Sequence, residues 1–132
     1  MAILKLILNA DRGHVICDRC EIAETSLTRL RGLLGRNGLL PGEGLLMRPA
    51  PAVHTCFMRF PIDVVFLDGR LGVLRIVEGV KPWRAVGHRG AEAVLELPAG
   101  SSKKHGIRHG DLLSVVEPRS VDGKRSRRRW RL

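Results

Sequence analysis

The chain has no apolar run that approaches the roughly 18 residues a membrane-spanning helix needs. Residues 1–8 are apolar apart from Lys5 and end at Asn9-Ala10-Asp11-Arg12-Gly13. No small-residue cleavage site follows, so the segment does not read as a signal peptide. Cytoplasmic residence is the expectation. Cysteine is scarce as well: three in 132 residues, an odd number, excludes a disulfide framework and predicts free thiols. The Gly-rich stretch 106–111 lacks the Lys-Ser/Thr ending of a phosphate loop and reads as turn geometry.

What is present is ordinary globular composition, 44% hydrophobic and 27% charged, in a length suited to one domain. Fifteen glycines and seven prolines favour many turns over long helices. The net charge of +10 is uneven. Residues 119–132 hold seven basic groups and one acid, which leaves 16 basic and 12 acidic groups, or +4, for residues 1–118. The predicted division is therefore a domain over residues 1–117 and a basic, disordered tail over 118–132. Arg125, Arg127, Arg128, Arg129, Trp130 and Arg131 are the candidates there for contact with nucleic acid or anionic lipid.

Short strands with turn signals between them dominate the domain. Residues 2–8 and 14–22 read as strands across an Asp-Arg-Gly turn. Leu27, Leu30, Leu33 and Leu34 recur at helical spacing and predict a helix over 26–34, stopped by Gly35. A Gly/Pro loop covers 36–44. Strand pattern resumes at Leu45–Arg48, Val53–Met58 and Ile62–Leu67. Asp68-Gly69 then signals a hairpin into Leu71–Val77. Residues 79–90 read as a long loop, Ala93–Leu97 as a strand, Ser101–His105 as one helical turn and Leu112–Glu117 as the last strand. The fold expected is mainly β: one compact sandwich or distorted barrel of seven to eight short strands with one or two short helices.

Several blocks, in order, resemble a known family. They are residues 31–36 (RGLLGR), Gly44-Leu45-Leu46, residues 58–68 (MRFPIDVVFLD), residues 94–100 (VLELPAG), and Gly106-Ile107 with Gly110-Asp111. Together they are similar to the bacterial and archaeal domain-of-unknown-function family number 192, over about residues 15–117. The resemblance implies a mostly β sandwich or distorted barrel with short helices, and no established activity. Phe57 and Arg59-Phe60 depart from the Trp before, and the Lys-Asn-Thr after, the Met common in that family. Many of its members are exported.

Four residues are the candidate ligand site: Arg36, His54, Arg59 and Asp63. Arg59 and Asp63 interrupt the apolar pattern, and arginine forks bind carboxylate or phosphate bidentately. The plainer reading of Asp63 and Arg59 is a buried Arg–carboxylate pair. In an extended strand, His54, Cys56 and Met58 would share a face and form a soft set suited to copper. Cys17-x-x-Cys20 with His54 and Cys56 could complete a zinc site, although in a regular strand Cys17 and Cys20 point to opposite faces. No cofactor is expected. The leading expectation is a non-catalytic domain that binds a small ligand or a protein. A small hydrolase-like or metal-dependent enzyme using His54, Cys56 and Asp63 is the second, and an accessory protein acting through the tail is the third.

Overall fold

The computed structural model describes residues 4–24 and 36–117. The predicted helix over 26–34 and the tail over 118–132 lie outside them. Nine strands and one short helix are described, in the order β1 (Leu4–Asn9), β2 (His14–Ala23), β3 (Glu43–Met47), β4 (Ala52–His54), β5 (Ile62–Leu67), β6 (Val73–Val80), β7 (Ala85–Gly87), β8 (Ala93–Pro98), α1 (Ser101–Lys104) and β9 (Leu113–Val116).

Seven strands form one sheet in the order β6-β5-β8-β3-β2-β1-β9, and β4 pairs with β7 in a separate two-stranded sheet. Every pairing is antiparallel except β2 with β3. A parallel pair needs a long crossover, which residues 24–42 supply. The large sheet curls until its outer strands meet. Leu113 donates its amide to the Leu71 carbonyl at 3.0 Å, Val73 to Asp111 at 2.8 Å, and Gly110 to Val73 at 2.8 Å. Gly72 and Leu112 form a bridge at this seam. The distorted barrel read from the turn spacing is thus present as a half-barrel with its edges pinned at one end.

Curling gives the sheet an inner and an outer face. The inner core holds Ile7, Ile16, Cys17, Cys20, Leu46, Val65, Leu67, Val73, Leu95, Leu97, Ile107 and Leu113. The outer face carries Leu45, Met47, Ile62, Val64, Phe66 and Val94, and Val53 of β4 and Met58 are packed into the same cluster. Both faces of β5 and β8 are therefore covered. That is why their sequences read as unbroken apolar runs instead of alternating ones.

Three departures from the sequence reading come from backbone geometry and pairing. The β1–β2 register slips between Lys5↔Cys20 and Ile7↔Cys17. An extra residue on one strand reverses the alternation beyond it, so Cys17 and Cys20 share the inner core instead of pointing apart. Cys17 donates its thiol to the Gly42 carbonyl at 3.2 Å. Cys20, as hydrogen-bond donor, holds the Cys17 thiol below the usual range, and the same contact together with burial pushes Cys20 up. The strand expected over Val53–Met58 ends at His54, because Met58 donates its amide back to the Thr55 carbonyl at 3.1 Å and closes a turn. The loop expected over 79–90 contains β7, paired through Val53↔Val86.

Gly44 on β3 is closely packed on all sides. A Cβ there would lie 2.9 Å from Cys17 Sγ, 3.0 Å from the Glu96 carbonyl oxygen and 3.1 Å from Leu97 Cδ2. Gly44→Ala should therefore lower unfolding free energy by about 1–3 kcal/mol, the range for overpacking a filled core. Gly38→Ala, where nothing lies within 4 Å, should have little effect. Urea denaturation of both variants checks the difference.

Candidate functional site

The four predicted ligand residues do not form one cleft. Asp63 sits on β5 with no exposed surface. Its Oδ1 accepts from the Gly79 amide at 2.9 Å. Its Oδ2 accepts from the Gly100 amide at 3.1 Å and from the amide and hydroxyl of Ser102 at 2.9 and 2.8 Å. The carboxylate floors an open basin of about 620 Å³, rimmed by Glu78, Lys103 and Lys104, but donors of the protein itself cover it. The Arg–carboxylate pair expected of Asp63 and Arg59 is absent, because backbone and hydroxyl donors occupy the position an arginine would take.

Arg36 and Arg59 do come to one place. Arg59 Nη1 donates to Asn37 Oδ1 at 2.8 Å, and Arg36 forms an ion pair with Glu21 on β2. His54 is exposed at the end of β4 and Cys56 is half-buried in the turn that follows, while Met58 is buried in the outer-face core. The turn after Thr55 breaks up the shared face on which the copper reading depended. The zinc set is divided by the sheet: Cys17 and Cys20 lie on its inner face, and β4 with His54 packs over its outer face. Among the described residues no three His, Cys, Asp or Glu side chains gather as a metal site. The tail candidates Arg125, Arg127, Arg128, Arg129, Trp130 and Arg131 lie outside the described residues.

The structure brings forward a pair of residues that the sequence reading passed over. Phe57 and Trp83 are 69% and 58% exposed. Their ring centroids lie 4.6 Å apart, with the planes inclined at 58°. Both backbones are left-handed, with φ of 67° and 66°. That conformation is uncommon for residues other than glycine and a true outlier for bulky ones.

Thr55 holds this arrangement in place. It is fully buried. Its hydroxyl donates to the Lys81 carbonyl at 2.7 Å and accepts from the Arg84 amide at 2.8 Å. Its own amide donates to the Arg84 carbonyl at 2.7 Å, and its carbonyl accepts from the Trp83 amide at 3.0 Å. One residue thus ties the turn 55–58 to the turn 81–84 and leaves the two rings outside. No sequence signal announces this, since a threonine two residues before a phenylalanine is unremarkable until the partner turn is known.

Glu96 also escaped the sequence reading. It lies on β8 beside Leu45 and Val64 of the neighbouring strands and is 4% exposed. No cation pairs with it among the described residues. Burial raises its carboxyl to about 7 from an ordinary 4.5. The folded state therefore retains a proton that the unfolded chain releases. Stability is highest below about pH 4.5 as far as this group is concerned, and falls as pH rises toward 7, by an amount of order 3 kcal/mol. Glu96→Gln should flatten the stability profile between pH 4.5 and 7.5, as measured by chemical denaturation across that range.

Comparison with known proteins agrees with the fold. A protein from Thermococcus sibiricus named "UPF0127 protein" is 33% identical over 103 residues, covering 72% of this chain. The chain spans 64% of that relative's length. A Pyrococcus abyssi protein of the same name is 31% identical, over 84% of this chain and 97% of its own length. A crystal structure of a protein of unknown function from Novosphingobium aromaticivorans superposes with a TM-score of 0.72 at 26% identity, covering 86% of this chain and 84% of that one. A structure from Sinorhizobium meliloti, provisionally described as a transcription regulator, gives 0.73 at 26% identity, over 86% and 92%. A family model described as "Uncharacterized ACR" matches residues 7–115, and the chain belongs to that family, domain of unknown function number 192.

Proposed function

We propose that this protein is a non-catalytic binding domain that engages an acidic ligand or partner through the end of the sheet carrying Arg36, His54, Phe57, Arg59, Trp83 and Arg84. The observation that carries this reading is the Thr55 clamp. A buried hydroxyl uses its hydrogen bonds to hold two turns in a costly backbone conformation. The result is to display two aromatic rings instead of burying them. Left-handed backbone at bulky residues persists only where the surroundings impose it, and such positions cluster at functional sites.

The neighbouring charges suit an acidic partner. Arg59 is steadied by Asn37, and Arg84 Nη1 lies 3.4 Å from the Pro82 and Trp83 carbonyl oxygens. Among the described residues, both guanidinium groups keep donors free for a carboxylate or phosphate. Asp63 serves this site indirectly. By anchoring the start of β5 to the end of β6, it fixes the two stretches from which residues 57–59 and 81–84 emerge.

Titration of the isotope-labelled full chain with inorganic polyphosphate, followed by NMR, tests the reading. Backbone amides of residues 36, 54, 57–59 and 81–84 should shift. The double variant Arg59→Ala/Arg84→Ala should bind roughly tenfold or more weakly, at the usual strength of charge-assisted hydrogen bonds. Phe57→Gly should meanwhile raise stability by about 1 kcal/mol through relief of the left-handed strain. Shifts confined to residues 119–132 would reject the site, as would shifts that survive in the double variant.

A further inference from the structure

We infer that the Phe57–Trp83 tip is a docking point for an anionic lipid surface, with the two rings entering the interfacial layer and the surrounding cations meeting the phosphate groups. This rests on the binding reading above and names its partner.

The first support is where the charge of the domain lies. Residues 50–62 and 79–91 form the small β4–β7 sheet, its two turns and their connections. They contain Arg59, Lys81, Arg84 and Arg89 and not a single acid. These 26 residues therefore carry the whole +4 of residues 1–118, and the other 92 residues balance to zero. Of these four cations, Arg59, Lys81 and Arg84 sit in or beside the turns that present the rings. Two further cations are on the same end of the large sheet, because Ile62 pairs with both Val80 and Pro98, and α1 with Lys103 and Lys104 follows Pro98 directly. The nearest acids at that end are accounted for: Asp63 is buried under its four donors, and Glu78 stands beside Lys103 and Lys104 on the rim of the basin.

The second support is the form of the tip. A surface that reads single-stranded nucleic acid offers a groove with aromatic rings spaced to stack successive bases. Here the two rings touch one another at 4.6 Å, inclined at 58°. No slot remains between them for a base. They project from adjacent turns as a wedge, Phe57 without any polar group and Trp83 with a single N–H donor. Tryptophan beside an apolar ring and a collar of Lys and Arg is the composition that settles at the boundary between headgroups and acyl chains. The arginines and the lysine add attraction to anionic headgroups, which salt screens.

The test uses the full chain with Trp130→Phe, which leaves Trp83 as the only tryptophan. Vesicles of phosphatidylcholine alone are compared with vesicles that also contain phosphatidylglycerol. Trp83 emission should shift to the blue, and the protein should sediment, only with the phosphatidylglycerol vesicles. Rising salt should reverse both effects. Phe57→Asn and Trp83→Asn suit the left-handed backbone while removing a ring, so folding is kept. Each should lower the partition coefficient roughly tenfold. Replacing Arg125, Arg127, Arg128, Arg129 and Arg131 by Gln should leave the Trp83 shift in place. Loss of binding in that tail variant alone would overturn the inference. So would equal binding to phosphatidylcholine, or a Trp83 shift on single-stranded oligonucleotide with none on vesicles. If polyphosphate still moves the amides of residues 57–59 and 81–84 while vesicles do not bind, the lipid assignment fails and the binding site stands.

Discussion

The arrangement of this protein depends on how a buried carboxylate is satisfied. Asp63 lies at the start of β5 with no exposed surface, and four donors from two other segments converge on it. An ionised group buried without such donors would cost several kcal/mol. With them, it becomes a fixed point at which β5, the end of β6 and the turn into α1 must meet. The chain on either side of that point is consequently held in register: residues 57–61 run into β5, and residues 81–84 leave β6. Thr55 repeats the device on a smaller scale, using a neutral hydroxyl to join those two stretches to each other. Polar groups buried in an otherwise aliphatic structure thus specify where the loops go, while the aliphatic residues supply the driving force.

The sheet explains why the two sides of the molecule differ. Curling encloses the inner face with side chains from across all seven strands, and Cys17 and Cys20 are packed there as core residues. The outer face is only partly covered by β4 and β7, which bring Val53 and Val86 against it. That small sheet is too short to bury the turns at its end. The turns carry Phe57 and Trp83, both exposed, with Arg59, Lys81 and Arg84 in or beside them. Glu96 stands on the same outer face, where its burial makes the stability of the sheet sensitive to pH near neutrality.

Much of this architecture could be read from the residue order. Asp68-Gly69 placed the β5–β6 connection, Pro98-Ala99-Gly100 closed β8, and the continuous apolar runs of β5 and β8 belong to strands covered on both faces. Glycine and proline punctuation, the mainly β class and the family blocks are local properties. Their physical basis is backbone conformation within a few residues, so neighbours in sequence suffice to reveal them. The candidate site was only partly legible for the opposite reason. Arg59, read as a polar interruption of the apolar pattern, donates to Asn37, the residue after Arg36. Whether Asp63 would face solvent, an arginine or a ring of amides depended on segments 16 to 39 residues away. A one-residue register slip moved Cys17 and Cys20 to the same face, which no count along a regular strand could foresee.

What the sequence determined by itself is therefore the vocabulary: short strands, their turns, an uneven charge and the family. What only the tertiary structure decided is which of its side chains act together. Phe57 and Trp83 are 26 residues apart in the chain and become one surface because Thr55 finds its hydrogen-bond partners in the turn at 81–84. Long-range hydrogen bonds of that kind leave no periodic trace, since they are satisfied by backbone groups that every residue possesses.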